Sequence, residues 1–187
     1  MALPASPPLT LQQIYTEFGA PLGTNLTALV RGGAYVPDTP ANAGVPTAPP
    51  INILNFLGAS SVSVTLNGQS IFAAGSTGGG ATARYRINAA GTVQTKEGLN
   101  PYVTQETWLL GGSASDFEVR ATVQSQTGVG GFGGSIGTYL NCGTDREWTA
   151  LATNGNIFSG TLLIEMRPAG GGAVLASALI DMESDFV

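Results

Sequence analysis

Histidine is absent from the 187 residues. That removes the commonest general base and metal ligand, and with it any Ser–His–Asp or Cys–His arrangement within the chain. A single cysteine, Cys142, excludes an internal disulfide and reads as a small core residue rather than a reactive thiol. Charge is scarce: 10% of residues carry it, against roughly 25% in ordinary soluble proteins. The net charge is −5 and the seven basic residues are scattered, with only Arg84 and Arg86 close together. Phosphate binding needs clustered lysine and arginine, so nucleic acid is not an expected partner. No apolar run approaches the roughly 18 residues of a membrane helix, so no membrane insertion is expected. The opening "MALPASPPLT" has neither a basic stretch nor an apolar one. A secretory leader is therefore not expected, and the chain should stay in the cytoplasm or leave it inside a larger assembly.

What the sequence has instead is glycine (27 residues), proline (11) and a 43% hydrophobic share, the composition of a β-rich protein with weakly charged surfaces. The prolines divide the chain near residue 60. Nine of them, from Pro4 to Pro50, precede it; Pro101 and Pro168 follow. Residues 1–60 read as an extended, docking arm and residues 61–187 as a β-domain.

The arm repeats itself. Aligning "LTLQQIY", "LTALVRG" and "INILNFL" sets an apolar residue at Leu9, Leu26 and Ile51 before a cap-type residue at Thr10, Thr27 and Asn52. Threonine and asparagine cap helices because their side-chain oxygens accept orphan backbone N–H groups. Gln13 follows Thr10 at capping-box spacing. Gly19, Gly32 and Gly58 end the units where a left-handed residue is useful. Each unit is thus one or two helical turns, too short to be stable alone. Leu11, Ile14, Leu26, Leu29, Ile53 and Phe56 are its apolar members, expected to need a partner's surface and read as partner-binding. Arg31 adds a candidate charge-assisted bond to a neighbour, with ordinary solvent exposure the plainer reading.

After Ser60 the apolar period becomes two. "SVSVTLNG" meets Asn67-Gly68, a hairpin-turn signal, and "QSIFAAG" can return as its partner. "TARYRIN", "AGTVQTK", "ETWLLGG", "DFEVRATVQ", "IGTYLNCG", "REWTALA", "GTLLIEMRP" and "AVLASALIDM" read as further strands. Short strands at regular spacing predict a mainly β fold, an antiparallel immunoglobulin-like β-sandwich preceded by the extended N-terminal arm with short helical turns. "STGGGA" and "TGVGGFGGSIG" are read as loops.

Chemistry is thin. Gly128, Gly130 and Gly133 match a GxGxxG spacing, but no helix is expected after them and no lysine follows, so they do not read as a nucleotide site. Asp181, Glu183 and Asp185 would share one strand face. Alternate residues stand about 7 Å apart, too wide for one Ca²⁺, and a solvated acidic face is the better reading. Trp108 and Trp148, with Tyr85, Tyr102 and Tyr139, offer either a core or a sugar-stacking platform, and core is preferred. No cofactor is expected.

Glu17-Phe18-Gly19, Arg31-Gly32-Gly33, Val36-Pro37 and Phe56-Leu57-Gly58-Ala59-Ser60 resemble an N-terminal pattern that recurs in virion proteins of tailed bacteriophages. Ala83 to Ile87, Gly91 to Val93, Trp108-Leu109, Phe117 to Ala121 and Arg146 to Trp148 are similar to the β-domain that often follows it. The resemblance implies a non-enzymatic structural component of a phage particle, from tail, tail fibre or collar, located in the virion. Its implied partners are other virion structural proteins and identical subunits. The alternative is a host-surface adhesion module that binds a host glycan; a cell-wall hydrolase is a distant third.

Overall fold

The computed structural model describes residues 2–36, 38, 42–75, 82–153, 155–172 and 174–186. The chain forms two compact units, one of residues 1–64 with 110–112 and one of 65–109 with 113–187.

Among its described residues the first unit carries one α-helix, α1 (Leu11–Phe18), and short 3₁₀ turns at Leu26–Ala28 and Ile53–Phe56. Thr10 caps α1 through a capping box with Gln13, and Gly19 closes it in the left-handed conformation at φ 63°. Asn52 caps the last turn in the same reciprocal way with Asn55. In the middle copy the cap is Asn25, whose side chain accepts from the Thr27 amide, so the expected cap stands two residues early. Asparagine competes well with threonine for that role, which explains the shift.

These turns are not a string of extended clips. Leu3, Ile14, Phe18, Leu29, Val36, Val45 and Phe56 form one buried cluster, with the Phe18 and Phe56 rings 6.1 Å apart. The reading that such turns cannot bury their apolar members within the chain is therefore corrected. Turns far apart in sequence cover one another, and burial supplies the stability that short helices lack. Polar ties close the unit: Leu3 donates to Ala59 O at 2.8 Å and Gly58 to Pro4 O at 2.9 Å.

The second unit is mainly β. Beside the two-residue strands β1 (Ser63–Val64, in the first unit) and β6 (Leu109–Leu110), it contains two five-stranded sheets. One has the order β5-β4-β3-β10-β8, from Val103–Thr107, Thr92–Glu97, Thr82–Ile87, Arg146–Ala152 and Gly130–Gly133. The other has the order β2-β12-β11-β7-β9, from Gln69–Gly75, Ala176–Phe186, Asn156–Pro168, Phe117–Gly128 and Leu140–Asn141. Alternation sets the inward faces: Ala83, Tyr85 and Ile87 of β3 and Leu162, Ile164 and Met166 of β11 are fully buried. Ser184 of β12 donates to Ala150 O of β10 at 2.9 Å, and Phe132 of β8 meets Phe158 of β11 edge-on at 5.1 Å.

Four expectations change here. The second sheet is mixed, because β2 runs parallel to β12, with Ile71 opposite Met182. The Asn67-Gly68 hairpin does not form: neither residue has the positive φ that its turn requires. The Asn67 amide donates instead to Glu106 at 3.1 Å. The run read as a glycine loop contains strand β8. A Cβ on Gly130 would stand 2.1 Å from Leu151 O, and one on Gly160 would stand 2.9 Å from the Phe132 ring. Glycine is there so that neighbouring backbone and a ring can come close. "IGTYLNCG" shrinks to the two-residue β9, and "STGGGA" lies outside the described residues.

Candidate functional site

Of the residues read as partner-binding, Ile14, Leu29 and Phe56 are fully buried in their own unit's core. Leu26 and Ile53 pack against that core half-buried. Leu11 is 40% exposed, and Leu22 and Leu54, which sequence reading passed over, are 71% and 52% exposed. Arg31 pairs with Asp38 at 3.2 Å. A groove of about 480 Å³ beside α1 is lined by Leu3, Pro4, Gln12, Gln13, Thr16 and Glu17, among others.

The motifs of the N-terminal pattern meet one another. Glu17 Oε1 accepts from the Ser60 hydroxyl at 3.4 Å and, one residue beyond the motif, from the Ser61 amide at 2.9 Å, and Phe18 packs on Phe56. Gly19 and Gly58 are both left-handed. The first and last phrases are therefore two halves of one folded unit.

In the β unit the aromatic residues considered for sugar stacking are already occupied. Trp108 and Trp148 are each 1% exposed, and their indole N–H groups donate to Asn88 O at 3.1 Å and Ser135 O at 2.9 Å. Tyr85 is fully buried beside Trp148; burial, then the Glu106 charge, holds its phenol well above the ordinary range. The Arg86 guanidinium lies 3.9 Å from the Tyr102 ring centre. Arg167 and Arg120 lie 3.6 and 4.6 Å from that of Tyr139. Those two arginines also pair with Glu118 at 2.6 Å and Glu165 at 2.7 Å, so this end of the sheet is a self-satisfied polar lattice. Trp108 and Trp148 are core residues, the reading preferred from the sequence.

A different concavity lies on the outer face of the mixed sheet. Register builds it in two rows. Ser70, Asp181, Thr161 and Ser125 stand side by side across β2, β12, β11 and β7; Phe72, Glu183, Ser159 and Thr127 form the next row. All eight line a cleft of about 470 Å³. Phe117, Val119 and Ala121 of β7 point inward, and without a register shift Ser125 and Thr127 would follow them. The irregularity opposite Thr161 and Leu162 inserts one residue and turns both hydroxyls outward.

Thr161 donates to Asp181 Oδ1 at 2.7 Å, while Glu97 accepts from the Phe72 amide at 3.3 Å and steadies the edge strand. Asp181 and Glu183 are exposed, in keeping with a solvated acidic face, whereas Asp185, the third acid of that row, is half-buried. Among the described residues no group of three acids or cysteines is placed to hold a metal. Phe72 is 47% exposed and is the one aromatic among the exposed large apolar residues described. The alternation of "QSIFAAG" carried the signal: with Ile71 and Ala73 inward, Phe72 had to face out beside Ser70.

Comparison with family models, with curated proteins and with solved structures finds no match to this chain.

Proposed function

We propose that the chain is a non-enzymatic structural component of a bacteriophage particle, associated with the tail, tail fibre or collar. Its N-terminal unit docks on neighbouring virion proteins, and an immunoglobulin-like β-sandwich is displayed in several identical copies. What supports the reading is the meeting of the two motifs that resemble the phage pattern. The Ser60 hydroxyl donates to Glu17 at 3.4 Å and Phe18 packs on Phe56, so residues carrying the resemblance help to hold the unit together.

Docking then falls to the apolar residues left outside. Leu11, Leu22 and Leu54 present exposed side chains, and covering a leucine fully on a partner contributes about 1.5–3 kcal/mol. Several such contacts on one unit add their free energies, less the cost of association. The test is the amount of Leu11→Asp/Leu54→Asp protein recovered on purified particles. The proposal expects unchanged melting and reduced incorporation; wild-type occupancy contradicts it.

A further inference from the structure

We infer that the cleft on the outer face of the mixed sheet binds a neutral saccharide, with Phe72 as stacking platform and Asp181 and Glu183 as hydroxyl acceptors. The cleft's volume of about 470 Å³ falls within the roughly 300–1,000 Å³ of small-molecule sites, and one or two sugar rings fit that space. Its lining is rich in groups that a sugar can use. Ser70, Ser125, Thr127 and Ser159 supply four hydroxyls able to donate or accept, and Thr161, whose proton goes to Asp181, supplies a fifth that can accept. Ionised carboxylates accept only, and bonds to them are roughly twice as strong as neutral ones. A saccharide presents many O–H donors around its edge and an apolar C–H face, and Phe72 stands in the same row as Glu183 to receive that face.

Charge narrows the ligand. None of the ion pairs among the described residues involves Asp181 or Glu183, so the cleft repels phosphates and acidic sugars. A lone metal ion fits poorly, because alternate residues of one strand stand about 7 Å apart and Asp181 is already engaged by Thr161. A basic peptide would also find carboxylates and a ring here. Five hydroxyls to two carboxylates favour a polyol over a cation. The platform is prearranged: three of the four strands pair on both sides, and Glu97 steadies the fourth.

The test is a titration of the full chain, followed by backbone amide NMR, with maltose, lactose, mannobiose and diacetylchitobiose. Sialyllactose and an oligolysine peptide are run beside them. At least one neutral disaccharide is expected to give saturable shifts centred on residues 70–72, 159–161 and 181–183. Phe72→Ala and Glu183→Gln should each weaken that binding about tenfold, whereas Leu179→Ala, exposed on the same strand but outside the cleft, should not. The inference is overturned if none of the four sugars shifts these residues at about 10 mM, if the shifts map elsewhere, or if both cleft variants bind like wild type. Oligolysine binding at these residues without sugar binding overturns it in favour of a cationic ligand. None of these outcomes bears on particle incorporation, which is measured with the opposite unit's variants.

Discussion

The carboxamide of Asn42 and the backbone of Ser60 hold each other by two hydrogen bonds across 18 residues of chain. The side-chain N–H donates to Ser60 O at 2.9 Å, and the Ser60 amide donates to Asn42 Oδ1 at 2.8 Å. Asn42 is fully buried and Ser60 is 7% exposed. Removing the carboxamide leaves a buried N–H and a buried carbonyl with a partner lost, a cost of about 1–3 kcal/mol. Asn42→Ala is expected to lower the N-terminal unit's stability by that amount and to strip the Ser60 amide of exchange protection. Unchanged protection would show that the tie is ornamental.

The glycines of β8 make a paired prediction. A Cβ at Gly130 would lie 2.1 Å from Leu151 O, a backbone atom that cannot swing aside, whereas one at Gly131 meets nothing within 4 Å. Gly130→Ala should therefore destabilise the β unit by about 1–3 kcal/mol, in the range of overpacked sites. Gly131→Ala should stay within about 0.5 kcal/mol of wild type. Equal midpoints in urea for the two variants would remove the close approach as the reason for glycine.

Local signals carried the sequence reading and non-local contacts limited it. The capping box of Thr10 and Gln13 and the two-residue alternation of β3, β7, β10, β11 and β12 are written in neighbouring residues, so they were legible. The N-terminal core was not, because it joins Leu3, Val36 and Val45 to turns tens of residues away, and none of these shares a periodic stripe. Strand β8 was hidden for a related reason. Its glycines answer to the backbone of β10, not to their own neighbours. The cleft needed the parallel β2–β12 pairing and the shift in β7, neither of which has a local signature. Only the outward placement of Phe72 could have been read from its own strand.

Burial also fixes a pH dependence. Cys142 is fully buried, and desolvation pushes its thiol from an ordinary 9.0 up to about 12, with Arg146 opposing and Glu118 assisting. The fold favours the neutral thiol, so this contribution is complete below about 9 and is lost as pH rises toward about 12. The melting temperature should fall between pH 9 and 11 more steeply in wild type than in Cys142→Ala. Equal slopes, or alkylation of native Cys142 at the unfolded rate at pH 8, would contradict the burial argument.

Neighbours on α1 separate core from surface. Ile14 is fully buried and Leu11 is 40% exposed. Ile14→Asp strands a carboxylate in an apolar cluster and should cost about 3 kcal/mol or more. Leu11→Asp places a negative charge in the first turn of the helix, where the dipole favours it, and should change stability by less than about 0.5 kcal/mol. Thermal melts of the two variants check this, and a tolerated Ile14→Asp would return Ile14 to the surface.

The N-terminal unit has its own core before any partner is met. Amide hydrogen exchange on the isolated chain puts this to the test. Ile14, Leu29 and Ala59 donate to Thr10 O, Leu26 O and Phe56 O at 3.3, 2.9 and 3.0 Å. These three amides are expected to be protected together and to lose protection together in Asn42→Ala. Exchange of all three at unfolded-chain rates in the wild-type protein would mean that the region is a tether, ordered only by whatever it binds.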